Sequence, residues 1–314
     1  MMKRTVHIVA FLIVITVILC AEWRLPLTVS AQNQNEESLK IIVPTKKIAN
    51  GDVLLLQIMA GNLKPPVSKM QIDFNRTTYR VNRHPLKGDG AYFALVGIPY
   101  HTKPGAQTLT LKYADPNGYQ TRQIPIDVVG GKYRTDVLKV DSRRVDPNKK
   151  DRKRANHEHQ EVKHIYASGS TARIWAGPFQ MPVGNEISSS YGNRRVFNGK
   201  LKSYHNGLDF RSPKGTPVYA TNSGIVRVAK NLFYSGNAVI MDHGTEIFTI
   251  YAHLSKIKVA VGQRIEKGHL IGLTGATGRV SGPHLHWGVK VNGVAVNPLQ
   301  FVEVMDRLVQ RHEN

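Results

Sequence analysis

The chain has 314 residues, with 43 Lys and Arg against 22 Asp and Glu, for a formal net charge of +21. That length fits about two domains, and a hydrophobic fraction of 41% excludes wholesale disorder. The charge points to an anionic partner (nucleic acid, a lipid surface or an acidic polymer), while a single cysteine excludes a disulfide framework and any cysteine-based zinc site, leaving metal chemistry to 13 His and the carboxylates.

Met1 to Arg4 make a basic start, and the run from Ile8 to Ala21 is apolar except for Thr16. The run is shorter than the roughly 20 residues a spanning helix needs and matches the apolar core of a signal peptide. Val29-Ser30-Ala31 supplies small residues for cleavage. An export signal is expected over residues 1–31, cut after Ala31, with an uncleaved anchor as the alternative. Either leaves the rest periplasmic or attached to the cell envelope. Cys20 follows Leu19, not the small residue a lipoprotein signal needs. Cleavage would remove that cysteine, which suits an exported protein that does without disulfides.

Residues 32–140 read as a β-rich accessory domain. Strand-sized runs occur at Val53–Ile58, Ala91–Val96, Gln107–Leu111 and Gln123–Val129. Turn signals bound them: Pro65-Pro66, Lys87-Gly88-Asp89-Gly90, Lys103-Pro104-Gly105 and Asp115-Pro116-Asn117-Gly118. Short strands at this spacing predict a small antiparallel sandwich. Residues 141–175 form a basic segment, expected to be a solvated helix or linker. Its His157, His159 and His164 read as charged surface, because residues two apart face different sides of a helix.

Residues 176–314 return to a β pattern rich in glycine. Runs at Gly224–Val228, Ala238–Met241, Ile247–Ala252, His269–Leu273 and His284–Val291 predict an antiparallel domain with tight turns. The whole chain is therefore expected to be mainly β.

Three short pieces of this domain collect histidines: His205-Asn206-Gly207-Leu208-Asp209, Tyr251-Ala252-His253-Leu254 and Gly282-Pro283-His284-Leu285-His286. On a strand, His284 and His286 point to one face about 6.6 Å apart. His205 and Asp209 would be about 13 Å apart on a straight strand, so the chain must bend, and Gly207 is expected to permit it. His205, Asp209 and one of His284 or His286 then offer three N/O ligands and leave a fourth position for water. His253 and the remaining histidine can serve proton transfer and oxyanion stabilisation. His84, His101, His243 and His269 are read as ordinary polar surface.

The order Ser190-Tyr191-Gly192-Asn193-Arg194, His205-x-x-x-Asp209, Tyr251-x-His253-Leu254 and Gly282-Pro283-His284-Leu285-His286 resembles the M23 (LytM/lysostaphin-type) zinc endopeptidases. Arg211 to Ala220 and Gly262 to Gly278 support the likeness, which covers roughly residues 178–302. The resemblance implies a LytM-type groove on an antiparallel sheet. It implies one zinc per chain on His205, Asp209 and His286, with His253 and His284 as the catalytic pair. It also implies hydrolysis of peptide bonds in peptidoglycan stems or cross-links by metal-activated water. Tyr191, Asn193 and Arg194 are placed along the groove on the same grounds, against strand packing for Tyr191 and solvent exposure for Arg194.

The alternative function is an autoinhibited or non-catalytic wall-binding regulator, but such relatives lose zinc ligands and this chain keeps all five site residues. A nucleic-acid binder is suggested by charge alone. The basic excess is spread along the chain and no nucleic-acid motif accompanies it, so the anionic partner is expected in the envelope.

Overall fold

The computed structural model describes residues 39–61, 70–115 and 118–310. The export signal expected over 1–31 and the turn expected at Pro65 and Pro66 lie outside them. The described chain is mainly β, as its patterning predicts.

The N-terminal part is a sandwich of two sheets. One holds Lys40–Ile42, Val53–Met59, Ala91–Gly97 and Asn82–Arg83 in that order. The other holds Lys47–Ala49, Gly118–Val129, Gly105–Asp115, Gln71–Phe74 and Thr77–Arg80. Alternate residues of each sheet meet between them: Leu54, Leu56, Ala94 and Val96 against Ile72, Leu109, Leu111, Ile124 and Ile126.

The four-stranded sheet is buried on both faces. Val53, Leu55, Phe93 and Leu95 point away from the sandwich into a second core with Trp175, Phe179, Val289 and Val296. This double burial explains why Val53-Leu54-Leu55-Leu56 and Phe93-Ala94-Leu95-Val96 are continuous apolar runs, not alternating ones.

The second core lies under one face of a larger antiparallel sheet. Its order is Ile187–Ser189, Leu208–Phe210, Leu285–Val291, Ile247–Leu254, Gly236–Asp242, Gly224–Leu232 and Arg264–Ile265. Leu285, Trp287, Val289 and Val291 face that core, so the period of two sends His286, Gly288 and Lys290 to the opposite face.

Part of that opposite face is covered by the helix Lys149–Ala167. Asn148 caps its N-terminus by accepting from the Asp151 amide, and Asp151 and His164 complement its dipole. The helix does more than project into solvent. Val162, Ile165 and Tyr166 pack on Val228, Ala238, Ile240 and Phe248. Glu158 accepts from the Phe233 amide at 2.6 Å, and Lys230 pairs with Glu161 at 2.7 Å. His157, His159 and His164 are exposed and share no metal-type cluster.

A C-terminal helix, Pro298–Val309, adds to the expected β pattern. Asn297 caps it and Pro298 opens it, and Phe301, Val304, Met305 and Leu308 bury one stripe in the second core. Gln300 accepts from the Val53 amide at 2.8 Å and donates to its carbonyl at 2.9 Å, clamping the helix to the N-terminal sheet. Among the described residues, no helix is long and apolar enough to cross a membrane.

Candidate metal centre

Two of the five predicted site residues are brought together by strand register. Asp209 on Leu208–Phe210 lies directly opposite His286 on Leu285–Val291, on the face away from the core. The third, His205, arrives from the hairpin that precedes this strand, formed by Arg194–Phe197 and Lys200–Tyr204. The chain turns at Asn206 and Gly207. Gly207 does not use a left-handed conformation here; its contribution is space. A Cβ at Gly207 would meet the Trp287 carbonyl and lie 2.8–2.9 Å from the His286 ring.

The three donor atoms form a near-equilateral triangle. His205 Nε2 is 2.9 Å from Asp209 Oδ1 and 3.0 Å from His286 Nδ1, and His286 Nδ1 is 2.9 Å from Asp209 Oδ1. A tetrahedral ion with bonds of about 2.0–2.1 Å needs ligand separations of roughly 3.3 Å, so two imidazoles and a carboxylate at this spacing fit a divalent metal. His205 Nδ1 lies 2.8 Å from the Ser190 carbonyl. Donating its proton there leaves the Nε2 lone pair aimed at the centre.

Burial works to raise the Asp209 carboxyl, but the pull of His205 and His286 in their protonated forms outweighs it, so the group lies well below its ordinary pKa and is ionised. Burial pushes His286 down to about 4, against the pull of Asp209, so its imidazole is neutral near pH 7. Both are the protonation states a metal requires.

His253 and His284 stand beside the triangle. Their ring centroids are 4.8 Å apart, and His284 Nε2 is 3.8 Å from Asp209 Oδ1. His253 Nδ1 lies 2.8 Å from the Thr277 carbonyl, and His284 Nδ1 lies 2.8 Å from the Gly282 carbonyl. Each ring thus donates from Nδ1 and keeps Nε2 open. Burial, with the charges of His284 and His286, lowers the His253 pKa well below its ordinary value. The His253 backbone has φ of 64°. A non-glycine residue in this region costs about 1–3 kcal/mol, so the surrounding fold holds this histidine in place against strain.

Residues that sequence reasoning passed over complete the centre. Arg195 donates to Asp209 Oδ2 at 2.7 Å and to Ser189 Oγ at 3.1 Å. Asp136, on Thr135–Leu138, accepts from Ser189 Oγ at 2.5 Å and from Asn193 Nδ2 at 3.0 Å. Thr135–Leu138 reaches the site by pairing in parallel with Arg194–Phe197. On the other side of the hairpin, Tyr100 of the N-terminal sandwich stacks on Tyr204 at 4.0 Å, next to His205 in sequence.

The neighbouring expectations need correction. Tyr191 is buried packing, its hydroxyl donating to the Ala295 carbonyl, and Asn193 is a buried brace to Arg134 and Asp136. Arg194 is exposed; strand alternation turns Arg195 inward instead. His243 is not surface: it is fully buried between the Ser223 carbonyl and the Thr249 hydroxyl. His84 is also buried, with Nδ1 accepting from the Leu86 and Lys87 amides. His101 and His269 are exposed, as expected.

Residues 203–298 match the model of Peptidase family M23, a stretch that contains His205, Asp209, His253, His284 and His286. Residues 203–298 are an M23-family segment. This M23 domain is 47% identical over 115 residues to the peptidoglycan DD-endopeptidase ShyA of Vibrio cholerae serotype O1, covering 36% of this chain and 27% of that protein. It is 38% identical over 128 residues to the DD-carboxypeptidase/endopeptidase Mpg of Neisseria meningitidis serogroup B, covering 41% of this chain and 30% of that protein. The chain thus spans less than a third of the length of these curated relatives. A crystal structure of a Pseudomonas aeruginosa protein described as a peptidase M23 superposes with a TM-score of 0.61 at 29% identity, covering 81% of this chain and 94% of that one. The likeness therefore reaches beyond the M23 domain into the N-terminal half.

Proposed function

We propose that residues 176–314 form a zinc-dependent endopeptidase that hydrolyses peptide bonds in peptidoglycan, exported to the cell envelope by residues 1–31. The observation that carries this reading is the convergence of His205 Nε2, Asp209 Oδ1 and His286 Nδ1 beside two imidazoles with open Nε2 atoms. The names of the Vibrio and Neisseria relatives support the wall as substrate and a DD peptide bond as the target, and a D-Ala to diaminopimelate cross-link is the bond we propose.

His205, Asp209 and His286 are the proposed ligands. Zinc there would act as a Lewis acid, polarising the scissile carbonyl and acidifying water. Arg195 occupies the second oxygen of Asp209 and keeps that carboxylate oriented toward the centre. His253 and His284 share one tautomer, each with a bare Nε2 on the groove side. One accepts the proton of the attacking water at Nε2 and passes it to the leaving amine nitrogen; the other, when it has taken a proton from solvent at Nε2, donates a hydrogen bond to the oxygen on which charge develops. Burial holds the His253 pKa well below its ordinary value, which favours the neutral ring that can accept a proton.

The non-catalytic regulator is not favoured, because the five side chains it would have lost are present and within reach of one another. Basic residues spread along the chain suit attraction to anionic envelope polymers. The test is mass spectrometry of peptidoglycan digested by protein lacking residues 1–31. New D-Ala carboxyl termini are the expected result. No new termini under zinc-replete conditions would overturn the reading.

A further inference from the structure

Arg279 lies in the loop between Leu270–Leu273 and Leu285–Val291, and its backbone amide donates to the Tyr234 carbonyl at 2.8 Å. Its guanidinium sits 4.3 Å from the Phe197 ring and 4.6 Å from the Tyr234 ring, packed against both. Among the described residues, no carboxylate or carbonyl accepts a hydrogen bond from it. The other arginines of the groove differ: Arg195 is committed to Asp209, and Arg211 pairs with Glu186 at 3.8 Å.

The position is central. Two cavities flank the triangle of donors. One is lined by Asp209 and His284, the other by His205, His253 and His286; Arg279, Arg195 and Phe197 line both. A ligand that fills both cavities lies against this guanidinium. Burial lowers its pKa from the ordinary value, as does the charge of Arg195, with Tyr234 opposing. The cation is thus held partly out of water with two ring faces and no anion.

We propose that Arg279 is a specificity-determining residue that reads a carboxylate of the substrate peptide beside the scissile bond. The inference rests on the peptidase reading and names a substrate feature that reading leaves open. A guanidinium fixed between two rings is pre-oriented for a planar, two-point bond to a carboxylate. The carboxylate can come from the side chain of a stem diamino acid or from a free peptide terminus.

The test uses protein lacking residues 1–31 and three cross-linked muropeptide dimers: free acid, side-chain amidated and terminally amidated. Wild type is expected to prefer the free acid over one amide by about tenfold or more in kcat/KM, and that amide names the source. Arg279→Gln removes the preference, chiefly through KM, and Arg279→Lys keeps part of it. Calorimetric binding of the monomeric stem peptide, acid against amides, gives a readout independent of turnover. Indifference of wild type to both amidations, or an equal loss on all three dimers in Arg279→Gln, would overturn the assignment. Selective binding without turnover sinks the peptidase reading and spares the subsite; turnover without selectivity does the reverse. Neither turnover nor binding removes both.

Discussion

Arg195 holds Oδ2 of Asp209 at 2.7 Å while His205 and His286 converge on Oδ1 of the same carboxylate. The two oxygens thus have separate partners, and the carboxylate is oriented from outside the donor triangle. Partners of this kind typically change metal affinity by about 10- to 100-fold when removed. Arg195→Gln is expected to weaken zinc binding by that factor with little change in circular dichroism. Competition with a chromophoric chelator measures it, and an unchanged affinity would remove Arg195 from the site.

The two proposed classes of histidine separate by metal content. His205→Ala and Asp209→Ala should lose both zinc, at about one per chain in wild type, and wall digestion. His253→Ala should keep zinc and lose about 10²–10³ in turnover, the usual cost of a missing oxyanion donor or base. Elemental analysis and digestion assays on the same preparations decide this. Metal-free wild type under zinc-replete conditions would refute the ligand set.

Gly207 tests the packing behind the site. In Gly207→Ala the new methyl would meet the Trp287 carbonyl and press on the His286 ring at 2.8–2.9 Å. Overpacking of this kind costs about 1–3 kcal/mol. The variant should melt several degrees lower and bind zinc more weakly, seen by calorimetry with and without metal. A substitution without effect would mean that the turn at Asn206 and Gly207 has slack the structure does not display.

His243 predicts a pH dependence of stability away from the metal. Burial lowers its pKa to about 4, with the Ser223 carbonyl and Asp242 opposing. The unfolded chain takes up this proton near pH 6.5, the folded chain only near 4. Between those values the unfolded state binds more protons, so stability falls as pH falls through the window. The single group is worth on the order of 3 kcal/mol across it. Melting temperatures of wild type and His243→Gln from pH 7 to 4 should converge as pH drops. Parallel curves would show that the buried imidazole is not a determinant of acid sensitivity.

What the sequence reveals depends on whether the pattern is local. The strand Ala91–Gly97 and the pair His284 and His286 were legible because alternation and turn residues act over a few positions. The second buried face of that strand was not, because nothing near Phe93 says that Trp175 will cover it. The helix Pro298–Val309 had a readable stripe in Phe301, Val304, Met305 and Leu308, and a cap in Asn297. Arg195 was obscured by its neighbour Arg194, since a one-residue difference in facing decides which guanidinium enters the site. Asp136 leaves no local signal at all: it reaches Asn193 only through parallel pairing of distant segments.

That pairing has a consequence for how the protein can be divided. The family match begins at residue 203, but the outer border of the hairpin feeding His205 is Thr135–Leu138. A fragment cut at Trp175 would leave Arg194–Phe197 with unpaired backbone groups along one side, open to self-association. It would also shed Asp136, and with it the brace on Ser189 and Asn193. A fragment that keeps this border and this brace around the donor triangle therefore starts before Thr135, some distance upstream of the stretch that homology alone would excise.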